Sequence, residues 1–223
     1  MSTLAVVQAA PHESYVVDAV MMFTLFFIVL GPLKMLVPFE RRTRSLGRGE
    51  LRALSLRAVL IGAVGVIGGG FTGSAMLAAW NIAPPILLFS LGLIFFAVAF
   101  RLVMQQYDAP AAAPAEPPAG PPPVLQIVFP LIAPPYGVAA VIVLLALSET
   151  RERTFLICAL VLAVMLLNLL AMVYVRHLMR GLPQAVLQVF GAVLGVLQVA
   201  LAVRIVFEAL RDLGVLALPG LER

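Results

Sequence analysis

The sequence contains little charge and few of the residues that build reaction centres. Of its 223 residues, 12% are charged and 62% are hydrophobic, with a mean hydropathy of +1.08, whereas a soluble domain carries about 25% charged residues. The single cysteine, Cys158, provides neither an intrachain disulfide nor a thiolate metal cluster. The only histidines, His12 and His177, flank the apolar region on opposite sides, so no zinc or haem pair is expected. We predict an integral membrane protein that is not an enzyme and has no cofactor.

Long apolar runs make up most of the chain. Each of six runs is long enough to cross a hydrocarbon core about 30 Å thick. We expect them to be helical, because hydrocarbon offers no partner for unpaired backbone groups and the runs lack the alternation of a barrel strand. The predicted spans are Val16–Phe39, Leu56–Ala79, Ile86–Met104, Val124–Leu147, Thr154–Val175 and Gln184–Phe207.

Arginines cluster in the segment after the first predicted span. This segment, ERRTRSLGRGELRALSLR at residues 40–57, contains six arginines, and the positive-inside rule assigns such a loop to the cytoplasm. Alternation of six spans then places both termini on the periplasmic side of a bacterial inner membrane. Because topology accounts for the net charge of +4, no nucleic-acid partner is predicted.

A proline-rich segment divides the chain. Residues 105–123 contain seven prolines, a composition that neither holds a helix nor buries a core. We interpret the segment as an extended cytoplasmic linker, and favour a spacer over a ligand for proline-recognition domains. The predicted organisation is an N-terminal tail at 1–15, a first three-helix repeat at 16–104, the linker, and a second three-helix repeat at 124–223.

The two predicted halves enter the membrane in opposite orientations, because three spans precede the linker and three follow it. Each half also begins with a span that proline interrupts, LFFIVLGPLKMLVPF in the first and IVFPLIAPPYGVAAVIV in the fourth. Secondary transporters place their sites where broken helices of two inverted repeats meet. The predicted fold is therefore an all-α integral membrane protein of six transmembrane helices, arranged as two inverted repeats with broken first and fourth helices.

Four stretches of the sequence share the pattern of a known family: Phe26–Phe39, Leu56–Ile61, the FPLIAP motif at Phe129–Pro134, and AVRIVFEAL at Ala202–Leu210. They resemble the MarC family of six-span bacterial inner-membrane proteins, which includes small-neutral-amino-acid transporters. Their order and the two groups of three spans match the family. The resemblance implies a membrane transport protein that moves a small solute, such as a small neutral amino acid, by alternating access at the helix breaks.

Several positions depart from the family pattern, three of them at polar or flexible residues of the first and third spans. Gly31 replaces an asparagine before the first proline, Lys34 replaces a glycine, and Leu88 replaces an arginine in the third span. These losses support an alternative hypothesis, a non-transporting membrane subunit of a larger complex that keeps the fold without the substrate site. The predicted partners are the lipid bilayer, a small solute, and further copies of the chain or other membrane subunits.

The two proline breaks supply the predicted substrate cavity. A charge at bilayer depth costs about 2.5 kcal/mol or more, so Lys34 is either a ligand for a substrate carboxylate, a replacement for a coupling cation, or a side chain that extends to the interface. Tyr136 is the polar group of the fourth span most expected to face a cavity. The cavity candidates are Gly31, Pro32, Lys34, Pro134, Pro135, Tyr136 and Gly137.

Four further polar residues lie in or at the end of predicted spans and are secondary candidates for the site. Asn168 and Gln198 interrupt otherwise apolar helices, where an amide binds a neighbouring helix or a ligand, and the first use is commoner. Arg204 and Glu208 are spaced i, i+4 and share one helix face. We favour a structural ion pair over a gate for these two residues.

Glycines on the second predicted span form a ridge. Gly62, Gly65, Gly69 and Gly73 recur at three- and four-residue spacing. Such small residues permit close approach of helices in a membrane. We therefore predict a packing face here, within the bundle or between subunits.

Overall fold

The computed structural model describes residues 19–104, 124–181 and 184–215; the predicted N-terminal tail and the linker lie outside these ranges. The described part of the chain is helical and contains no strand. The helices are α1 (Ala19–Leu30), α2 (Leu36–Thr43), α3 (Arg48–Ala79), α4 (Pro84–Met104), α5 (Val124–Ile127), α6 (Pro135–Ala146), α7 (Arg151–Val173), α8 (Val175–Gly181) and α9 (Gln184–Asp212). A 3₁₀ turn at Pro32–Lys34 follows α1, and a π-type turn at Val128–Ile132 follows α5.

Five segments of the described chain are long and apolar enough to cross a membrane. They are Met22–Thr43, Arg48–Ala79, Pro84–Arg101, Arg151–Val173 and Gly191–Asp212. The first of them runs through the break between α1 and α2, and a shorter apolar helix covers Pro135–Ala146. The prediction of an all-helical, multi-pass integral membrane protein is confirmed.

The predicted fourth span is divided in the structure. Helix α5 and the π-type turn lead into two non-helical residues, Ala133 and the extended Pro134, before α6 begins. Within the turn, Phe129 has φ −111° and ψ 119°, outside the helical region. With its 12 residues, α6 is about 18 Å long, too short to cross a hydrocarbon core alone.

Helices α3 and α7 begin several residues earlier in the chain than the predicted spans. The backbone N–H of Gly47 donates to Glu50 Oε2 at 2.8 Å at the start of α3, and Thr150 Oγ1 accepts from the backbone N–H of Arg153 at 3.2 Å at the start of α7. Because these caps satisfy free groups of the first turn, both helices extend into polar sequence. The segment at residues 40–57, expected as a loop, is consequently mostly helix.

Helix α3 packs against α6 through its glycines. A Cβ atom on Gly62 would lie 2.7 Å from Ile132 Cγ2, one on Gly70 would lie 2.7 Å from Val141 Cγ1, and one on Gly73 would lie 2.6 Å from Ile142 Cδ1. The predicted packing face therefore lies within the bundle. Gly65, which the spacing also placed on the ridge, has open space beside it.

Helices α4 and α9 pack closely against each other. A Cβ atom on Gly92 would lie 2.6 Å from Val206 Cγ2 and 3.1 Å from the Val206 backbone nitrogen, so only glycine permits this approach. Helix α1 packs on α7, and α3 contacts both α6 and α7. The broken segments therefore lie against unbroken helices, which fix their positions.

Candidate functional site

The first break separates α1 from α2. Pro32 has no N–H to continue the helix and its ring excludes the helical conformation behind it, and Gly31 adopts extended angles, φ −72° and ψ 169°. A Cβ atom on Gly31 would overlap the carbonyl oxygen of Phe27. The Gly-Pro pair thus turns the chain sharply, and the 3₁₀ turn that follows carries Lys34.

The second break precedes α6. Pro134 is extended, with φ −65° and ψ 146°, and Pro135 occupies the first position of α6, where the missing N–H removes no helical hydrogen bond. The carbonyl of Pro134 accepts from the backbone N–H groups of Gly137 at 2.8 Å and Val138 at 3.1 Å. Tyr136 is therefore held in the first turn of a helix that starts inside the apolar segment.

The two breaks meet in space. Gly137 lies directly against Leu30, since a Cβ atom on Gly137 would overlap Leu30 Cδ2. The Lys34 ammonium lies over the Tyr136 ring, 5.2 Å from its centroid, a cation–π arrangement. Residues from the first and fourth predicted spans, which are about a hundred positions apart in the chain, thus form one site.

The predicted cavity residues differ in exposure. Gly31, Pro134 and Gly137 are buried, and Pro32, Lys34 and Tyr136 are half-buried. Pro135 is exposed on the surface of the bundle. Six of the seven therefore lie in or beside the junction of the breaks, and Pro135 shapes the second break from its outer side.

Gln198 completes the environment of the lysine. Lys34 Nζ donates to Gln198 Oε1 at 3.1 Å, and Gln198 is 0% exposed at the middle of α9. The ammonium is therefore directed into the bundle. A lysine has three donors, and this is its one hydrogen bond to a residue that the structure describes.

Asn168 supplies a hydrogen-bond donor for the last carbonyl of α1. Its Nδ2 donates to the carbonyl oxygen of Leu30 at 2.8 Å. In an unbroken helix that carbonyl would accept from the backbone N–H four residues later, a bond that the break at Pro32 removes. Asn168 is 0% exposed in α7, so a buried amide replaces the lost helical hydrogen bond.

One polar atom of each buried amide has no partner. Asn168 Oδ1, an acceptor, and Gln198 Nε2, a donor, make no hydrogen bond with the described part of the chain. Buried polar atoms are ordinarily satisfied, and an exception calls for an explanation such as a bound molecule. Both atoms belong to side chains that bind the first break.

No carboxylate pairs with Lys34 among the described residues. The ion pairs there are Arg44 with Glu40 and Arg204 with Glu208. The second joins Arg204 Nε to Glu208 Oε1 at 2.7 Å on an exposed face of α9, as the i, i+4 spacing predicted. Neither residue makes a hydrogen bond or ion pair with the broken segments that the structure describes. The described residues also contain no group of His, Cys, Asp and Glu that could hold a metal ion.

Two arginines outside the predicted site tie the broken segments to their surroundings. Arg42 Nη1 in α2 donates to the carbonyl of Gln126 in α5 at 2.8 Å, which links the two broken segments directly. Arg176 Nη2 donates to the carbonyl of Thr43 at 3.1 Å and to that of Leu46. The sequence carries no signal for these contacts beyond the charge of the arginines.

An all-helical bundle of apolar segments, with two interrupted helices that meet around a half-buried lysine, defines a multi-pass integral membrane protein. No curated protein and no solved structure matches the chain. The description "MarC family integral membrane protein" belongs to a family whose model matches residues 16–213. The chain belongs to the MarC family, in agreement with the resemblance of its motifs.

Proposed function

We propose that this protein is a membrane transport protein that binds a small carboxylate-bearing solute, such as a small neutral amino acid, at the junction of its two helix breaks. Gly31, Pro32, Pro134 and Gly137 form the backbone of the proposed site, Pro135 fixes the second break, and Lys34 and Tyr136 face the solute. The protein carries out no chemical reaction on the solute in this proposal, and needs no cofactor. Arg204 and Glu208 remain outside the site as a structural pair.

The observation that carries the proposal is the Lys34 ammonium without a counter-ion among the described residues. Charged side chains within membrane helices ordinarily pair with one another or with backbone carbonyls. A solute carboxylate supplies the missing negative charge and accepts from the two remaining ammonium protons and from the free N–H of Gln198 Nε2. Asn168 Oδ1 is an acceptor without a partner, and it suits an ammonium group on the same solute.

The proposed architecture is six spans in two inverted repeats, at residues 16–104 and 124–223, joined by the linker at 105–123. The segment from Val124 to Ala146 has the same plan as Met22–Thr43: a helix, an interruption at proline and a second helix. Counting both broken segments as spans gives three on each side of the linker. We place the protein in the bacterial inner membrane with both termini on the periplasmic side, because the arginines at residues 40–57 favour the cytoplasm.

One arrangement favours the alternative, a non-transporting subunit of a larger membrane complex. The side chains around the first break already satisfy one another in part, since Asn168 binds the Leu30 carbonyl and Gln198 binds Lys34. A site filled in this way stabilises a broken helix without any solute. The two functions differ in one measurable property, which is solute binding.

The test is equilibrium binding to the purified full-length protein in detergent. Isothermal titration with glycine, alanine and serine is compared with the corresponding amines, which lack the carboxylate. We expect one of the amino acids to bind and its amine to bind at least tenfold more weakly, because the charge-assisted contact to Lys34 is worth about 1.5–3 kcal/mol.

Two variants control this experiment. Lys34→Met removes the ammonium and is expected to abolish binding, whereas Arg151→Met removes an exposed charge at the start of α7 and is expected to leave it unchanged. Circular dichroism spectra establish that both variants are folded. Binding that survives in Lys34→Met would overturn the proposed role of the lysine, and a protein that binds no amino acid and purifies only with partner subunits would support the alternative.

A further inference from the structure

The first ten residues of α3 carry three arginines that face away from the bundle. Arg48, Arg52 and Arg57 are all exposed. None of them has a hydrogen bond or ion pair with the chain at 19–104, 124–181 or 184–215. Three guanidinium groups within about 14 Å along one helix therefore lack any partner in the described protein.

The nearby carboxylates in the described chain are already occupied. Glu40 binds Arg44 Nε at 2.8 Å, and the hydrogen bond and the charge of Glu40 raise the pKa of Arg44. Glu50 accepts from the backbone N–H of Gly47. The start of α3 consequently keeps a local excess of positive charge.

The length of α3 carries its first turns out of the hydrocarbon core and places Arg57 at the level of the lipid headgroups. The helix has 32 residues and is about 48 Å long, which exceeds a hydrocarbon core of about 30 Å. It ends at Trp80, which is 64% exposed, and tryptophan is enriched at membrane interfaces. With Trp80 at one interface, the segment Leu60–Ala79, about 20 residues long, crosses the core, and Arg57 lies just outside it.

Apolar side chains continue the same outward face. Positions 48, 52, 56, 60 and 64 follow one i, i+4 row along α3. In this row Leu56 is 48% exposed, Leu60 57% and Val64 73%. One side of a single helix thus presents Arg52 beside an apolar row from Leu56 to Val64, and Arg57 borders this row three residues before Leu60.

We propose that this face of α3 binds an anionic phospholipid. The phosphate lies between the guanidinium groups of Arg52 and Arg57, and an acyl chain follows Leu56, Leu60 and Val64. Arginine suits this ligand because its planar group binds phosphate through two N–H donors, and clusters of basic residues beside a membrane helix attract anionic headgroups. A zwitterionic lipid fits less well, because its own cation opposes the arginines.

The bound lipid would act on the second break through α3. The opposite face of the same helix contacts Ile132 through Gly62 and Val138 through Gly69, so a lipid that immobilises α3 stabilises the packing around α6. This inference does not depend on any solute, and its test is independent of the proposed transport function.

The experiment is native mass spectrometry of the full-length protein, titrated with dioleoyl phosphatidylglycerol or dioleoyl phosphatidylcholine. We expect the first phosphatidylglycerol to bind at least tenfold more tightly than phosphatidylcholine. Arg52→Gln and Arg57→Gln should each weaken it about fivefold. Arg151→Gln removes an exposed arginine at the opposite end of the bundle and serves as the matched control, with no change expected.

Two results would overturn the proposal. The first is equal affinity for the two lipids, or a loss in Arg151→Gln as large as that in Arg52→Gln. The second is displacement of phosphatidylglycerol by inorganic phosphate at millimolar concentration, which would show that the arginines bind a free anion. Because all three arginines are exposed in the first turns of α3, their replacement by glutamine is not expected to prevent folding, and circular dichroism checks this.

Discussion

Replacing Lys34 and Gln198 together is expected to destabilise the protein less than the two single replacements combined. Lys34 Nζ and Gln198 Oε1 are 3.1 Å apart, and Gln198 is 0% exposed. Gln198→Leu leaves the half-buried Lys34 ammonium without its acceptor, and Lys34→Met leaves the buried Gln198 amide with both polar atoms unpaired. In the double variant two apolar side chains meet instead.

The magnitude follows from the type of hydrogen bond. A hydrogen bond to a charged group contributes about 1.5–3 kcal/mol, and a buried group left without its partner costs about 1–3 kcal/mol. Each single variant should therefore lower the free energy of unfolding by about 2–3 kcal/mol. The double variant should recover about 1.5–3 kcal/mol of the summed loss, which is the coupling energy of the pair.

The assay is reversible unfolding in mixed detergent and dodecyl sulfate micelles, followed by circular dichroism. Tyr136→Phe is the control, because it keeps the aromatic ring beneath the ammonium, which lies 5.2 Å from the ring centroid, and should change the free energy of unfolding by no more than about 0.5 kcal/mol. Additive effects of Lys34→Met and Gln198→Leu, to within about 0.5 kcal/mol, would refute the contact between the first break and α9.

Three further predictions concern stability, and the same unfolding assay measures each. Gly70→Ala should destabilise the protein by about 1–3 kcal/mol, because the new methyl group meets Val141 Cγ1 at 2.7 Å. Gly65→Ala on the same helix has open space and should stabilise the protein by about 0.5–1 kcal/mol. Equal losses of stability in the two variants would contradict the packing of α3. Asn168→Leu should lower the free energy of unfolding by about 2–4 kcal/mol, since it leaves the Leu30 carbonyl without its donor and introduces a larger side chain. An unchanged unfolding midpoint would show that Asn168 does not stabilise the first break. Arg176→Gln should lower the free energy of unfolding by about 1–3 kcal/mol, because it loses the hydrogen bonds to the end of α2 and the turn after it. It should also increase proteolysis near Arg44. An unaltered cleavage pattern would argue against a role of Arg176 in holding this turn.

The broken helices were predictable from local chemistry alone. Proline removes a backbone donor and restricts the residue before it, so Pro32 and Pro134 mark interruptions wherever the helices pack. The i, i+4 pair of Arg204 and Glu208 was predictable for the same reason, since both residues belong to one helix. The residue types of Asn168 and Gln198 also distinguished them, because amides are rare in apolar helices.

The partners of these amides could not be predicted from the sequence. Asn168 binds Leu30 across α1 and α7, and Gln198 binds Lys34 across the 3₁₀ turn and α9. Both contacts depend on which helices are neighbours in the bundle, and hydropathy assigns no neighbours. The sequence therefore did not predict that the Lys34 ammonium lies beside α9.

The helix ends differ from the predicted spans for a physical reason. Apolar runs mark the depth of hydrocarbon, whereas a helix ends where its backbone groups lose their partners. Helix α3 begins at Arg48 because Glu50 binds the Gly47 N–H, well before the apolar run at Leu56. The exposed cationic turns of α3 arise from this difference.

Transport at the junction of the two breaks is tested by uptake into proteoliposomes of the full-length protein, with the amino acid that titration identifies. We expect saturable uptake that is lost in Lys34→Met and retained in Arg151→Met. Uptake no greater than that of protein-free liposomes, with the protein folded and inserted, would contradict transport at the junction of the two breaks. Saturable uptake that persists in Lys34→Met would place the solute elsewhere in the bundle.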